Sequence, residues 1–187
     1  RKNFFSAWFP GIKPTTDEGI FFFFSVNEIV RASNEMSKVR TGALIVIEQT
    51  QSLAEYERTG IDIDAVVSSQ LLINIFEHNT PLHDGAVIIH GDRITSATCY
   101  LPLSDNRKLS KELGTRHRAG VGISELTDSL TVIVSEETGH VSCAYHGELS
   151  RDLNADGLKE KLQSIQNKKT EDTKKRKTRK GRSKDVA

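Results

Sequence analysis

The chain has 187 residues, with 26 Lys and Arg against 25 Asp and Glu, 36% hydrophobic residues and two cysteines. That is room for one domain and a tail. It is too few cysteines for a disulfide scaffold or a cysteine-based zinc site, and no apolar run approaches the roughly twenty residues of a membrane helix. Ten of the basic residues fall between Asn167 and Asp185 beside three acidic ones, which leaves a net-acidic body and argues against a nucleic-acid-binding domain, whose folded face should be basic.

Arg1 to Gly19 holds Pro10, Gly11 and Pro14 and shows little periodicity, so residues 1–24 read as an irregular lead-in. The chain starts at Arg1 rather than at a methionine and reads as a fragment. Val26, Ile29, Val30, Ser33 and Met36 follow helical spacing and predict a helix near 25–39. The run Thr41 to Ile47 is short, apolar and rich in β-branched residues, a buried strand. Leu53 to Gly60 is a short helix or turn. Ser68 to Glu77 is a second helix behind a serine cap, stopped by Pro81.

Gly85–His90 and Arg93–Tyr100 flank Gly91-Asp92 and predict a hairpin. Asp105 to Leu113 has helical character with Gly114 as its stop. Arg116 to Leu126 is a further helix despite Gly120 and Gly122. Leu130–Val134 and Val141–Tyr145 flank Thr138-Gly139, a second hairpin, and Leu153 to Ile165 is a terminal helix. The sum is a single α/β (α+β) domain over 25–166, a mixed sheet of five or more strands flanked by helices. The tail over 167–187 is basic with almost no apolar residues. It is expected to be disordered and solubilising, and no aromatic interleaves with its charges to suggest a specific nucleic-acid site.

Four constellations carry possible chemistry. His83-Asp84-Gly85-Ala86 sits directly before a strand. An imidazole and a carboxylate there suit a divalent metal or a general base, and they suit an ordinary turn equally well. Gly114-Thr115-Arg116-His117-Arg118 puts three cationic or potentially cationic side chains at a helix start, where free N–H groups and arginine forks make a polyphosphate cradle. Ser135-Glu136-Glu137-Thr138-Gly139 follows a buried strand, and one of its carboxylates could complete a metal site with His83 or Asp84; a polar hairpin turn is the plainer reading. Tyr100-Leu101-Pro102-Leu103-Ser104 offers an aromatic and a leucine at a strand end, fit to sandwich a base or simply to leave the core. There is no Walker loop, dinucleotide fingerprint or nucleophile elbow.

Together these segments resemble the diadenylate cyclase family, in its membrane-anchored CdaA/DacA type. The signatures are Asp84-Gly85-Ala86 and Arg116-His117-Arg118. They lie among the similar blocks 41–48, 79–86, 100–104, 112–118 and 134–139, and the resemblance covers about 26–155. It implies a mixed sheet flanked by helices and the condensation of two ATP into cyclic di-AMP with release of pyrophosphate.

The resemblance also implies roles. Asp84 would bind metal and help deprotonate a ribose 3′-hydroxyl, with His83 and Glu137 (or Glu136) as further metal ligands. Thr115, Arg116, His117, Arg118 and Ser135 would hold the triphosphate. Tyr100 would stack on adenine, and Leu101 would contact it through its backbone. The implied cofactor is a divalent metal, Mn²⁺, Mg²⁺ or Co²⁺, and the implied assembly a face-to-face homodimer. In the full-length protein, absent N-terminal helices would anchor the domain at the cytoplasmic side of the membrane, where a regulatory protein partner could act; this fragment itself would be soluble. The competing reading is a catalytically silent module that binds ATP or a cyclic dinucleotide, which the complete set of His83, Asp84, Arg116–Arg118 and Glu137 argues against.

Overall fold

The computed structural model describes residues 17–110 and 112–164, with side chains from residue 25 onward, and in it seven strands pair into one sheet. In chain order the elements are α1 (Asp17–Val39), β1 (Ala43–Ile47), α2 (Ala54–Glu57), β2 (Ile61–Val66), α3 (Ser69–Phe76), β3 (Ala86–His90), β4 (Arg93–Cys99), α4 (Thr115–Leu126), β5 (Leu130–Val134), β6 (Val141–Tyr145) and β7 (Glu148–Ser150). A last helix, α5, covers 155–164. The strand order is β2-β4-β3-β1-β5-β6-β7. β1 and β3 run parallel and every other neighbour pair is antiparallel, so the sheet is mixed as expected.

Alternation along the central strands builds two cores. Ala43, Ile45 and Ile47 of β1, Val87 and Ile89 of β3, and Leu130, Val132 and Val134 of β5 face one side. There they meet Val26, Ile29, Ala32 and Met36 of α1, Leu72, Ile75 and Phe76 of α3, and Leu158 and Leu162 of α5. Leu44, Val46, Ile88 and Ile133 face the other side, against Ala119, Val121 and Ile123 of α4 and Leu53 before α2. Both faces of β1, β3 and β5 are covered, which is why those strands read as unbroken apolar runs. Gly120 and Gly122 let α4 lie close: a methyl on Gly122 would come within 2.2 Å of the Pro102 carbonyl oxygen. Two residues that cost helix propensity are thus what the packing requires.

Several expectations hold at their boundaries. Ser68 caps α3, its hydroxyl accepting from the Leu71 N–H at 3.2 Å. Both predicted hairpins form. The two cysteines are buried and free.

Three expectations change. α1 begins at Asp17, so the last third of the expected irregular lead-in is helical. No proline falls between Pro14 and the end of this helix. The stretch 105–113 is not a helix where it is described. The Ser104 hydroxyl accepts from the Asn106 N–H and the Asn106 side chain accepts from the Lys108 N–H, so side chains take amides that a helix would need. β2 and β7 add two strands at the sheet's edges. The rest of the lead-in, 1–16, and the basic tail, 167–187, lie outside the described residues. Among the described residues no helix is long and apolar enough to cross a membrane.

Candidate active site

Strand direction collects the four constellations at one end of the sheet. β1 and β3 start there, while their antiparallel neighbours β4 and β5 end there. β6 starts and β7 ends at the same edge. α4 also begins there before running along the sheet face towards the start of β5 at the far end. The result is a cleft of about 830 Å³, a size suited to a small-molecule ligand. Asp84, Gly85, Tyr100, Leu101, Thr115, Arg116, His117, Ser135, Glu136 and Glu137 line it. His83, Ala86 and Arg118 do not. Ala86 is fully buried as the first residue of β3. Arg118 sits one turn along α4, where its carbonyl accepts from the Ser104 N–H and ties the 101–104 segment to the helix.

The start of α4 is open to an anion. Gly114 is its N-cap, extended and without a side chain to cap the first turn, so the leading amides have no acceptor within the helix. Arg116 is the next element. It is 22% exposed and its Nη1 donates to Glu136 Oε2 at 2.5 Å. Its Nε is buried with no hydrogen-bond partner. That is a donor lacking an acceptor at a site already rich in N–H groups.

Gly42 makes room for this arginine. A Cβ there would meet Arg116 Nη1 at 2.9 Å and the Glu136 Cβ at 3.0 Å. Any larger residue would push the guanidinium off its pair. Sequence reasoning treated Gly42 only as part of a strand, and its role emerges once α4 is seen to cross in front of β1.

His117 is buried, and burial lowers its pKa, helped by the positive charge of Arg151. It is therefore neutral at pH 7, and the Arg116–Arg118 motif carries two charges rather than three.

Asp84 stands at the entrance to β3 with its side chain 88% exposed. The next residue, Gly85, takes φ +92°, and a Cβ there would lie 2.8 Å from the Thr98 carbonyl carbon. The left-handed turn aims the chain from Asp84 into the strand, and only glycine takes it without strain. His83 beside it places Nδ1 2.6 Å from the Thr80 carbonyl oxygen. A carbonyl only accepts, so in the neutral ring Nδ1 carries the proton and Nε2 keeps a lone pair. That nitrogen is 3.6 Å from Asp84 Oδ1. An oriented imidazole lone pair beside a carboxylate is a donor set that fits a divalent cation. Glu137 lines the same cleft from the β5–β6 turn, with β1 between β3 and β5 in the sheet. Among the described residues no three His, Cys, Asp or Glu side chains gather as a metal site.

On the remaining wall Tyr100 is 76% exposed, a free aromatic face. Its backbone is fixed, because its N–H donates to Thr59 Oγ1 at 2.9 Å. Leu101 packs partly against the α4 side of the core. Ser135 holds the β5–β6 turn, its hydroxyl accepting from the Thr138 N–H at 3.2 Å while its carbonyl accepts from Gly139 at 2.9 Å. This turn presents Glu136 to Arg116. Cys99 also lines the cleft, but burial, with the charges of Glu57 and Asp62, pushes its thiol up to about 12. It is no nucleophile at neutral pH.

Comparison with known proteins gives the chain's relatives. A family model described as DisA bacterial checkpoint controller nucleotide-binding matches residues 30–149. The cyclic di-AMP synthase CdaA of Bacillus subtilis is 57% identical over 149 residues, 80% of this chain and 55% of that protein. A diadenylate cyclase of Listeria monocytogenes is 56% identical over 133 residues, 71% of this chain and 49% of that protein. The chain thus spans about half the length of these curated relatives. Among solved structures, a cysteine double mutant of DacA from Staphylococcus aureus is 50% identical with a TM-score of 0.74, covering 76% of this chain and 95% of that one. A hypothetical membrane spanning protein from Bacillus cereus is 42% identical with a TM-score of 0.67, covering 69% of this chain and 63% of that one.

Proposed function

The chain belongs to the diadenylate cyclase family, and on that premise we propose that it condenses two ATP into cyclic di-AMP with release of two pyrophosphates. The observation that carries the proposal is the convergence of an exposed carboxylate, an uncapped helix start with Arg116, and an exposed aromatic on one cleft. Those are the parts that phosphoryl transfer needs: a proton acceptor, a cradle for the phosphates and a platform for the base.

Asp84 accepts the proton of a ribose 3′-hydroxyl. The 3′-oxygen forms a bond to the α-phosphorus of the other ATP, the bond from that phosphorus to the bridging oxygen of the β-phosphate breaks, and pyrophosphate leaves with the electron pair. A second such step closes the ring. The leading amides of α4, Thr115, Arg116 and Ser135 hold the triphosphate. The Arg116 Nε, which has no partner among the described residues, finds its acceptor on a phosphate oxygen. His117 offers the triphosphate one further hydrogen bond. Tyr100 stacks on adenine and the Leu101 backbone contacts its edge. His83, Asp84 and Glu137 would hold the divalent cation. Such a cation offsets charge on phosphate oxygens and lowers the pKa of a bound hydroxyl.

One cleft holds one ATP, and the hydroxyl that attacks belongs to another. Two protomers must therefore meet cleft to cleft, an isologous arrangement. In the full-length protein we place this domain at the cytoplasmic side of the membrane, behind helices that precede it. The dimer is testable by dilution. At saturating ATP, product formed per protomer should fall as protomer concentration drops below the dimer dissociation constant. A rate per protomer that stays constant over a hundredfold dilution to nanomolar protein would contradict the two-protomer site.

A further inference from the structure

Arg151 follows β7 and reaches the cleft wall from outside the four constellations. It is exposed, and among the described residues no carboxylate, carbonyl or hydroxyl pairs with its guanidinium. Arg116 by contrast is committed to Glu136, and Arg118 does not line the cleft. Arg151 is therefore the one unpaired guanidinium among the described cleft-lining residues. Its segment is pinned. His140 Nδ1 lies 2.6 Å from Asp152 Oδ1, and the Leu153 N–H donates to the Val141 carbonyl at 2.9 Å. These two contacts hold 151–153 against the start of β6, beside the β5–β6 turn. The charge of Arg151 is also close enough to the α4 start to act on His117.

We propose that Arg151 receives the outer phosphates of the bound nucleotide, and so holds the pyrophosphate that leaves. This rests on the diadenylate cyclase reading and deepens it. A guanidinium fork matches two phosphate oxygens, and pyrophosphate gains a negative charge as the bond to the α-phosphorus breaks. An arginine whose donors are all free meets that charge without first losing a protein partner. Its place just after β7, four strands from β3 in the sheet order, sets it away from Asp84 and beyond the α4 start. That is where the outer end of an in-line triphosphate lies if the attacking hydroxyl stands at Asp84.

The discriminating ligands are 3′-deoxy-ATP, which carries the outer phosphates and cannot react, and cyclic di-AMP, which lacks them. Binding of each to the unmodified chain, Arg151→Ala and Arg151→Lys would be measured by calorimetry, with thermal unfolding as a control on the exposed site. The expected result is that Arg151→Ala weakens 3′-deoxy-ATP about tenfold, as for a solvent-screened charged hydrogen bond, and leaves cyclic di-AMP within twofold. Arg151→Lys should recover part of the loss. Unchanged 3′-deoxy-ATP affinity would overturn the proposal, and so would an equal loss for both ligands. If the unmodified chain bound neither ligand, the cyclase reading itself would fall and this proposal with it, an outcome visible before any substitution.

Discussion

Asp84→Asn should keep ATP affinity within about twofold and lower turnover by roughly 10²–10⁴-fold, the usual worth of a general base. The side chain is 88% exposed and its nearest ionisable neighbour is His83 Nε2 at 3.6 Å. The amide is the same size, leaves no buried charge unpaired, and does not disturb the Gly85 turn. What it loses is the capacity to take a proton and a negative ligand for a cation. Calorimetry with 3′-deoxy-ATP reads the binding, and chromatography of the products with ATP reads the turnover. Wild-type turnover in the amide variant would remove Asp84 from the chemistry.

Arg116→Ala should weaken triphosphate binding by roughly ten- to hundredfold, the range for losing a charged hydrogen-bond donor, with little cost to the fold. Glu136 is 52% exposed and regains water when its partner goes. The space in front of Gly42, now filled by the guanidinium, opens to the cleft rather than to the core. The affinity loss should be largest for the triphosphate and smaller for AMP, since the missing group faces phosphates. Equal affinity in the alanine variant would sink the cradle, because the uncapped start of α4 would then be doing that work alone. Thermal unfolding separates a binding loss from a folding loss.

The buried architecture was legible because β1, β3 and β5 are covered on both faces and read as plain apolar runs. β2 escaped because it is an edge strand, mostly exposed, with a bulge between Asp62 and Ala65. Its Ile61-Asp62-Ile63-Asp64 alternation was the available signal. β7 is three residues long and gives no periodicity. The helix expected over 105–113 failed because spacing does not reveal that Ser104 and Asn106 side chains capture nearby amides.

The cleft lining was legible at Asp84-Gly85 and Thr115-Arg116-His117, while His83, Ala86 and Arg118 of the same runs do not line it. It was not legible where distant chain segments meet. Gly42 matters through Arg116, seventy-four positions on, and Arg151 joins the cleft only because β7 ends at the same edge as β5. Glu137 likewise comes to the cleft of Asp84 from a distant segment, the β5–β6 turn.

The most direct measurement is incubation of the purified chain with ATP and Mn²⁺, with products identified by chromatography and mass. The account predicts cyclic di-AMP and pyrophosphate in a ratio of one to two. ATP bound by a dimer and left unconverted, or converted only to ADP and phosphate, would contradict it.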